Sequence, residues 1–304
     1  MRSVNLLKVA KSTWVREYAD IFPYIVQIGT GGTGTYCVQH IAQILATSGK
    51  KAAYIIADPD IVEEKNLNNQ LFLPQEVGQK KADILASRYS SAYGLPIGVY
   101  SEKYIESPEQ LRRLFNMEYL SMYDDPTEMF RARKLFLPII VGCVDNNYTR
   151  RVIYELFKTM NTGIWIDAGN EATVVPRDWR TRPKEEWTPE ELAAFNESGW
   201  SGQVVTGVRT NLFKQECVAE AFPDVLGDAG EIRPSEMSCS ELSASEPQRA
   251  IVNKFAALIV ANVLREIIEE ATVSSHITFF HAKKGYMRTI PVVKEKQEET
   301  QKAG

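Results

Sequence analysis

The chain has 304 residues, with 35 Lys plus Arg against 39 Asp plus Glu, a formal net charge of −4 and only 24% charged residues, which excludes a disordered polyelectrolyte. With 44% hydrophobic residues it can bury a sizeable core, and at roughly 150 residues per domain its length fits one large domain or two small ones. The mildly acidic balance removes the usual electrostatic reason to bind bulk nucleic acid or an anionic membrane.

The opening stretch, MRSVNLLKVAKSTWVREYAD, carries Lys or Arg too often to leave an apolar signal-peptide core. No later run approaches the roughly 20 apolar residues that span a bilayer, and the expected location is cytoplasmic. The first predicted strand, Tyr24 to Ile28, runs into the glycine sequence GTGGTG. A helix from about Thr33 to Ala46 follows, with Val38, Ile41, Ala42 and Leu45 at helical spacing. Next come a strand at Ala53 to Ala57, a helix over Lys81 to Tyr93 and a short strand near Ile97 to Tyr100. Ser101 to Lys134 is polar and reads as partly helical. The apolar strand Leu137 to Cys143 leads into VDNNYTRRVIYELF, a helix opened by an Asp/Asn cap, and then into the strand Gly163 to Ala168. This alternation predicts an α/β fold, a Rossmann-like doubly wound and mostly parallel sheet.

From Pro176 the texture changes, since RDWRTRPKEEWTPEELAAFNESGW holds Trp179, Trp187 and Trp200 among many charges and reads as an insertion. A turn-rich stretch from Gly227 to Pro247 precedes QRAIVNKFAALIVANVLREIIEE, a core helix by length and periodicity. Two antiparallel strands, around Ile277 to Phe280 and Tyr286 to Pro291, close the fold before a charged tail. Cys37, Cys143, Cys217 and Cys239 lie far apart with no C-x-x-C pair, so neither a structural zinc site of common spacing nor a disulfide framework is expected.

Gly29, Gly31, Gly32 and Gly34 lie between a strand and a helix, the setting in which such glycines permit a tight turn and bring free N–H groups to a phosphate at a positive helix end. Asp58 and Asp60 end the next strand about 25 residues later, where a carboxylate can accept hydrogen bonds from ribose hydroxyls. Glycines and an acid alone suit NAD, FAD or ATP equally, and there is no G-K-[ST] of a Walker loop.

Four segments in order, GTGGTG (Gly29 to Gly34), DPDIVEEKNLNNQ (Asp58 to Gln70), VGQKKA (Val77 to Ala82) and CVDNNYTR (Cys143 to Arg150), resemble the ThiF/MoeB/HesA superfamily, which includes the ubiquitin-activating enzymes. The resemblance is close from about Tyr24 to Gly169 and looser to about Ile268. It implies an adenylation domain over residues 1–281, with an insertion at about 177–200 and a crossover loop at about 227–247, then a closing strand and tail over 282–304. The glycine loop and Asp58 would hold the nucleotide, with Asp60 beside them. Asn66, Asn69 and Gln70 match the N-L-x-R-Q segment near the ATP phosphates, Lys81 matches the phosphate-binding lysine, and Asp145 matches the aspartate that supports magnesium. ATP cleavage asks for this set of a cation, a metal-binding carboxylate and backbone donors. The chain departs from the pattern at Asn69, where the family has Arg, and Arg16 upstream of the first strand is a candidate replacement cation, supplied by a partner subunit as in relatives that dimerise.

The implied activity is ATP- and Mg2+-dependent adenylation of the C-terminal carboxylate of a ubiquitin-like protein ending in Gly, with transfer to a cysteine as a thioester and, downstream, a conjugating enzyme. Cys239 is the expected acceptor thiol, in a polar loop just ahead of the long helix, whereas Cys37 and Cys143 lie in apolar elements. The Trp179 to Trp200 segment is a place for the partner to dock, and a homodimer is expected. Two alternatives stay open: a nicotinamide-dependent oxidoreductase, which leaves Asn66, Lys81 and Asp145 without roles, and a catalytically reduced scaffold of the same fold.

Overall fold

The computed structural model describes residues 3–12, 15, 17–116, 132–227, 233–236 and 248–292. The strands are β1 (Val4–Asn5), β2 (Asp20–Ile28), β3 (Ala53–Ala57), β4 (Gly98–Tyr100), β5 (Lys134–Gly142), β6 (Gly163–Asn170), β7 (Ser201–Arg209), β8 (Lys214–Gln215), β9 (Thr272–Val273), β10 (Ser275–His281) and β11 (Tyr286–Pro291). The longer helices are α1 (Gly32–Thr47), α2 (Lys81–Tyr93), α3 (Pro108–Leu114), α4 (Asn147–Phe157), α5 (Pro189–Glu197) and α6 (Ala250–Glu270).

One sheet holds nine strands in the order β11-β10-β7-β6-β5-β2-β3-β4, with β8 paired to β7, while β1 and β9 form a separate two-stranded sheet. From β4 to β6 every pairing is parallel; β7, β10 and β11 are added antiparallel. The predicted fold class, a mostly parallel Rossmann-like sheet with antiparallel C-terminal strands, is the one observed. Its central strands are buried on both faces, which is why β2 and β5 read as nearly continuous apolar runs. Successive residues still alternate between two cores. Ile21 and Ile25 of β2 face the layer of α1, α2 and α6, while Phe22, Tyr24 and Val26 face the layer of α3 and α4.

The central strands β2 and β5 begin earlier than expected, at Asp20 and Lys134, and each carries a proline. Pro23 lies inside β2, opposite Leu137, but pairing with β3 starts only at Tyr24. Pro138 lies inside β5, and pairing with β6 starts at Ile139. Each proline thus occupies a stretch with a neighbour on one side only, where a missing N–H leaves no ladder bond unmade on the open side.

The sequence reading missed β7, whose partner β6 is matched over eight residue pairs from Gly163↔Arg209 to Asn170↔Gly202. The small β1/β9 sheet, which ties Val4 to Val273 beyond the end of α6, was likewise not anticipated. Helix α6 is the core helix expected, burying Val252, Ala256, Val260, Val263, Leu264 and Ile267 and stacking Phe255 on Phe280. Among the described residues no helix is long and apolar enough to cross a membrane.

Candidate active site

Strand β2 has β3 on one side and β5 on the other, so the chain leaves its C-terminal end at the point where the strand order reverses, the usual place for a ligand crevice in an open α/β sheet. Gly29 stands there with φ +92°, and a Cβ on it would lie 2.5 Å from the Cys143 carbonyl oxygen at the end of β5. Only glycine satisfies both the left-handed backbone and the close approach. Buried Gln27, the one amide in the apolar run, staples the loop by donating from Nε2 to the carbonyls of Gly29 and Gly34, both at 2.9 Å. Its Oε1 accepts the Tyr54 hydroxyl at 2.7 Å. A lone Gln two residues before a glycine run was the available signal, and the sequence reading passed over it.

Gly31 is the residue before α1, and no side chain caps this helix end. A Cβ on Gly31 would meet nothing within 4 Å, so the loop opens outward at this point with the unsatisfied N–H groups of the first helical turn behind it.

Asp58, at the end of β3, is buried and turned to the loop. Its Oδ2 accepts the Thr30 N–H at 2.6 Å and the Thr30 hydroxyl at 2.7 Å, and its Oδ1 accepts the Asp60 N–H at 2.8 Å. Burial, with Asp60 nearby, pushes its carboxyl above the ordinary range, against the opposing effects of Lys81 and the Thr30 bonds. Asp60 holds the Lys81 ammonium at 3.1 Å through Oδ2, and the Lys81 N–H donates to the Asp60 carbonyl at 2.9 Å. Lys81 is only 6% exposed, so it is no solvated helix residue. Tyr104, beyond β4, donates its hydroxyl to Asp60 Oδ1 at 2.5 Å. Burial, the Asp60 bond and charge, and the charges of Asp58 and Asp145 hold this hydroxyl well above its ordinary pKa. Nothing in the polar segment around it marked Tyr104 out.

Asp145 lies between β5 and α4 and is exposed. The cap of α4 is Asn146, whose Oδ1 accepts the Thr149 N–H at 2.8 Å, so the Asp145 carboxylate is free of that duty. Arg150 fixes the backbone here, donating to the Val144 carbonyl at 2.7 Å and pairing with buried Asp167 at 3.0 Å.

Of the remaining predicted residues, Asn66 is buried in a single-turn 3-10 helix and accepts the Glu63 N–H at 2.9 Å. Asn69 ends that turn, and the Gln70 Oε1 is buried with no hydrogen-bond partner among the described residues. These three stay on the connection between β3 and α2. Arg16 and Cys239 lie outside the described residues. Four residues before Cys239, Ser235 donates its N–H and hydroxyl to the two Glu106 carboxylate oxygens at 2.8 and 2.9 Å, two residues along from Tyr104. On the far side of the same loop Arg249 stacks over Trp200, 3.9 Å from the ring centroid, and Trp187 is buried against Phe195. These two tryptophans are engaged in internal packing.

The arrangement fits ATP with magnesium. An open glycine cradle and an uncapped helix end suit a phosphate, and Lys81 supplies a cation. Asp145 offers a hard oxygen ligand of the kind magnesium combines with phosphate oxygens and water.

The fold is similar to that of PaaA, with a TM-score of 0.52 and 15% identity over 90% of this chain and 65% of that one. It is also similar to E. coli MccB with ATP, at a TM-score of 0.47 and 16% identity over 88% of this chain and 63% of the other. E. coli MccB with AMPCPP and MccA gives 0.49 and 16%, with the same coverage. The chain therefore spans less than two thirds of the length of these proteins. No curated protein matches it. Residues 23–302, which include every strand of the main sheet except the start of β2, match the ThiF family, and the chain belongs to that family.

Proposed function

We propose that the protein is an ATP-dependent activating enzyme that adenylates the C-terminal carboxylate of a ubiquitin-like protein and passes the acyl group to Cys239. The observation that carries this reading is the chain of contacts that runs from Thr30 of the glycine loop through Asp58 and Asp60 to Lys81, with Asp145 released from helix capping by Asn146. In the first step a carboxylate oxygen of the partner attacks the α-phosphorus of ATP and the bond to pyrophosphate breaks. The loop N–H groups and Lys81 would meet the charge that develops on the phosphates, and Asp145 would hold magnesium, which would supply further positive charge there. In the second step the Cys239 thiolate attacks the acyl carbon, AMP leaves, and a thioester remains. Ser235, four residues before Cys239, donates to Glu106, two residues from Tyr104, which supports this reading.

A nicotinamide enzyme would use the loop and an acid but neither Lys81 nor Asp145. The activating enzyme is proposed to work as a homodimer, with Arg16 reaching the partner's nucleotide in place of the arginine absent at Asn69. Exchange of labelled pyrophosphate into ATP, dependent on a Gly-terminated partner protein, tests the first step. Binding of NAD in preference to ATP would count against it, and a monomer in sedimentation at working concentration would remove Arg16 from the site.

A further inference from the structure

Three connections meet at Asp60. The carboxylate belongs to the turn after β3, Lys81 to the first turn of α2, and Tyr104 to the loop after β4. Its Oδ2 holds the ammonium at 3.1 Å and its Oδ1 takes the Tyr104 hydroxyl at 2.5 Å. The Asp60 N–H donates to Asp58, which in turn holds Thr30 of the glycine loop. We propose that Tyr104 is a positioning residue which, through Asp60, sets how readily Lys81 is released to the phosphates of a bound nucleotide.

The argument rests on competition for one cation. The Lys81 side chain is 7% exposed and Asp60 is the carboxylate that pairs with it, so a phosphate must draw the ammonium away from Asp60. A hydroxyl donating to the same carboxylate takes up part of its charge and weakens its hold on Lys81. Tyr104 is suited to this because it stays a protonated donor: burial and the neighbouring carboxylates raise its pKa. A merely structural tether for the β4 loop is already present. Glu106 grips Ser235, Tyr148 donates to the Glu106 carbonyl at 3.3 Å, and Ser107 caps α3.

This inference rests on the proposed nucleotide reading, and the test separates the two. Full-length wild type, Tyr104→Phe, Lys81→Met and the double variant are titrated by calorimetry with the magnesium complex of a non-hydrolysable ATP analogue. Adenosine, which lacks phosphate, is followed by ligand-observed NMR. Tyr104→Phe is expected to weaken the ATP analogue about tenfold, the scale of a hydrogen bond to a charged group, with adenosine binding unchanged. In the Lys81→Met background the same substitution should have no further effect. Equal weakening of both ligands, an undiminished effect without Lys81, or no effect at all would each overturn the assignment. A wild-type chain that binds neither ligand would overturn the nucleotide reading itself, and this assignment with it.

Discussion

Arg150 and Asp167 form an ion pair 3.0 Å long in which the carboxylate side chain is 1% exposed, and the same guanidinium donates to the Val144 carbonyl next to Asp145. One arginine thereby balances a buried charge and holds the backbone that presents the proposed metal ligand. Replacing Arg150 with Met strands that charge and should cost about 3–5 kcal/mol in denaturant unfolding, the usual penalty for removing one partner of a buried pair.

The pH dependence of stability follows from the two buried carboxyls. Burial raises both Asp167 and Asp58, in spite of Arg150 on the one and Lys81 and Thr30 on the other. Above the unfolded value of about 3.9 the unfolded chain has released protons that the folded chain still holds. Stability therefore falls as pH rises from there through the raised folded values. Thermal melts as pH rises above about 4 should show this slope, and Asp167→Asn should flatten it. An unchanged slope in that variant would rule Asp167 out as a source.

Asp145 and Asn146 are adjacent but separable. Asp145 is exposed and makes no cap, so Asp145→Ala should leave stability within about 0.5 kcal/mol while abolishing pyrophosphate exchange. Asn146→Ala removes the α4 cap and should cost about 1 kcal/mol. Near-normal exchange in Asp145→Ala would refute the magnesium assignment.

The glycines separate fold from binding in the same way. Gly29→Ala meets a carbonyl at 2.5 Å in a left-handed backbone and should destabilise by about 2 kcal/mol or more, whereas Gly31→Ala faces open space and should fold normally. The second variant narrows the cradle, so calorimetry should show weaker binding of the ATP analogue.

Cys239 is the thiol expected to carry the acyl group. Cys143 is held well above the ordinary thiol range by its contact with Cys37, 3.7 Å away, and by burial, and Cys217 is pushed up to about 12 chiefly by burial. With ATP, magnesium and partner, a reductant-sensitive adduct should form in wild type and vanish in Cys239→Ala, with pyrophosphate exchange preserved. An adduct that survives the substitution would assign the thiol elsewhere.

The sheet's central strands, the glycine turn, α1, α2 and the long α6 were legible in the sequence because each is written in a local pattern: an apolar run, a glycine cluster, a helical period. The acids and the lysine of the site were legible by type and order along the chain. Their partners were not. The Tyr104 hydroxyl reaches Asp60 across 44 residues and the Arg150 guanidinium reaches Asp167 across 17, and no local pattern encodes which carboxylate a donor will meet. The same holds for Pro23, which looks like a strand breaker until the neighbouring strand shows that it has one open side. Strand β7 acquires its place only by pairing with β6 and β10, and which of Asp145 and Asn146 caps α4 depends on where the helix begins against β5. Residue identity along the chain determined the chemistry on offer, whereas packing of distant segments decided which groups are paired, which are buried and which are left free, because those depend on contacts that exist only once the sheet is assembled.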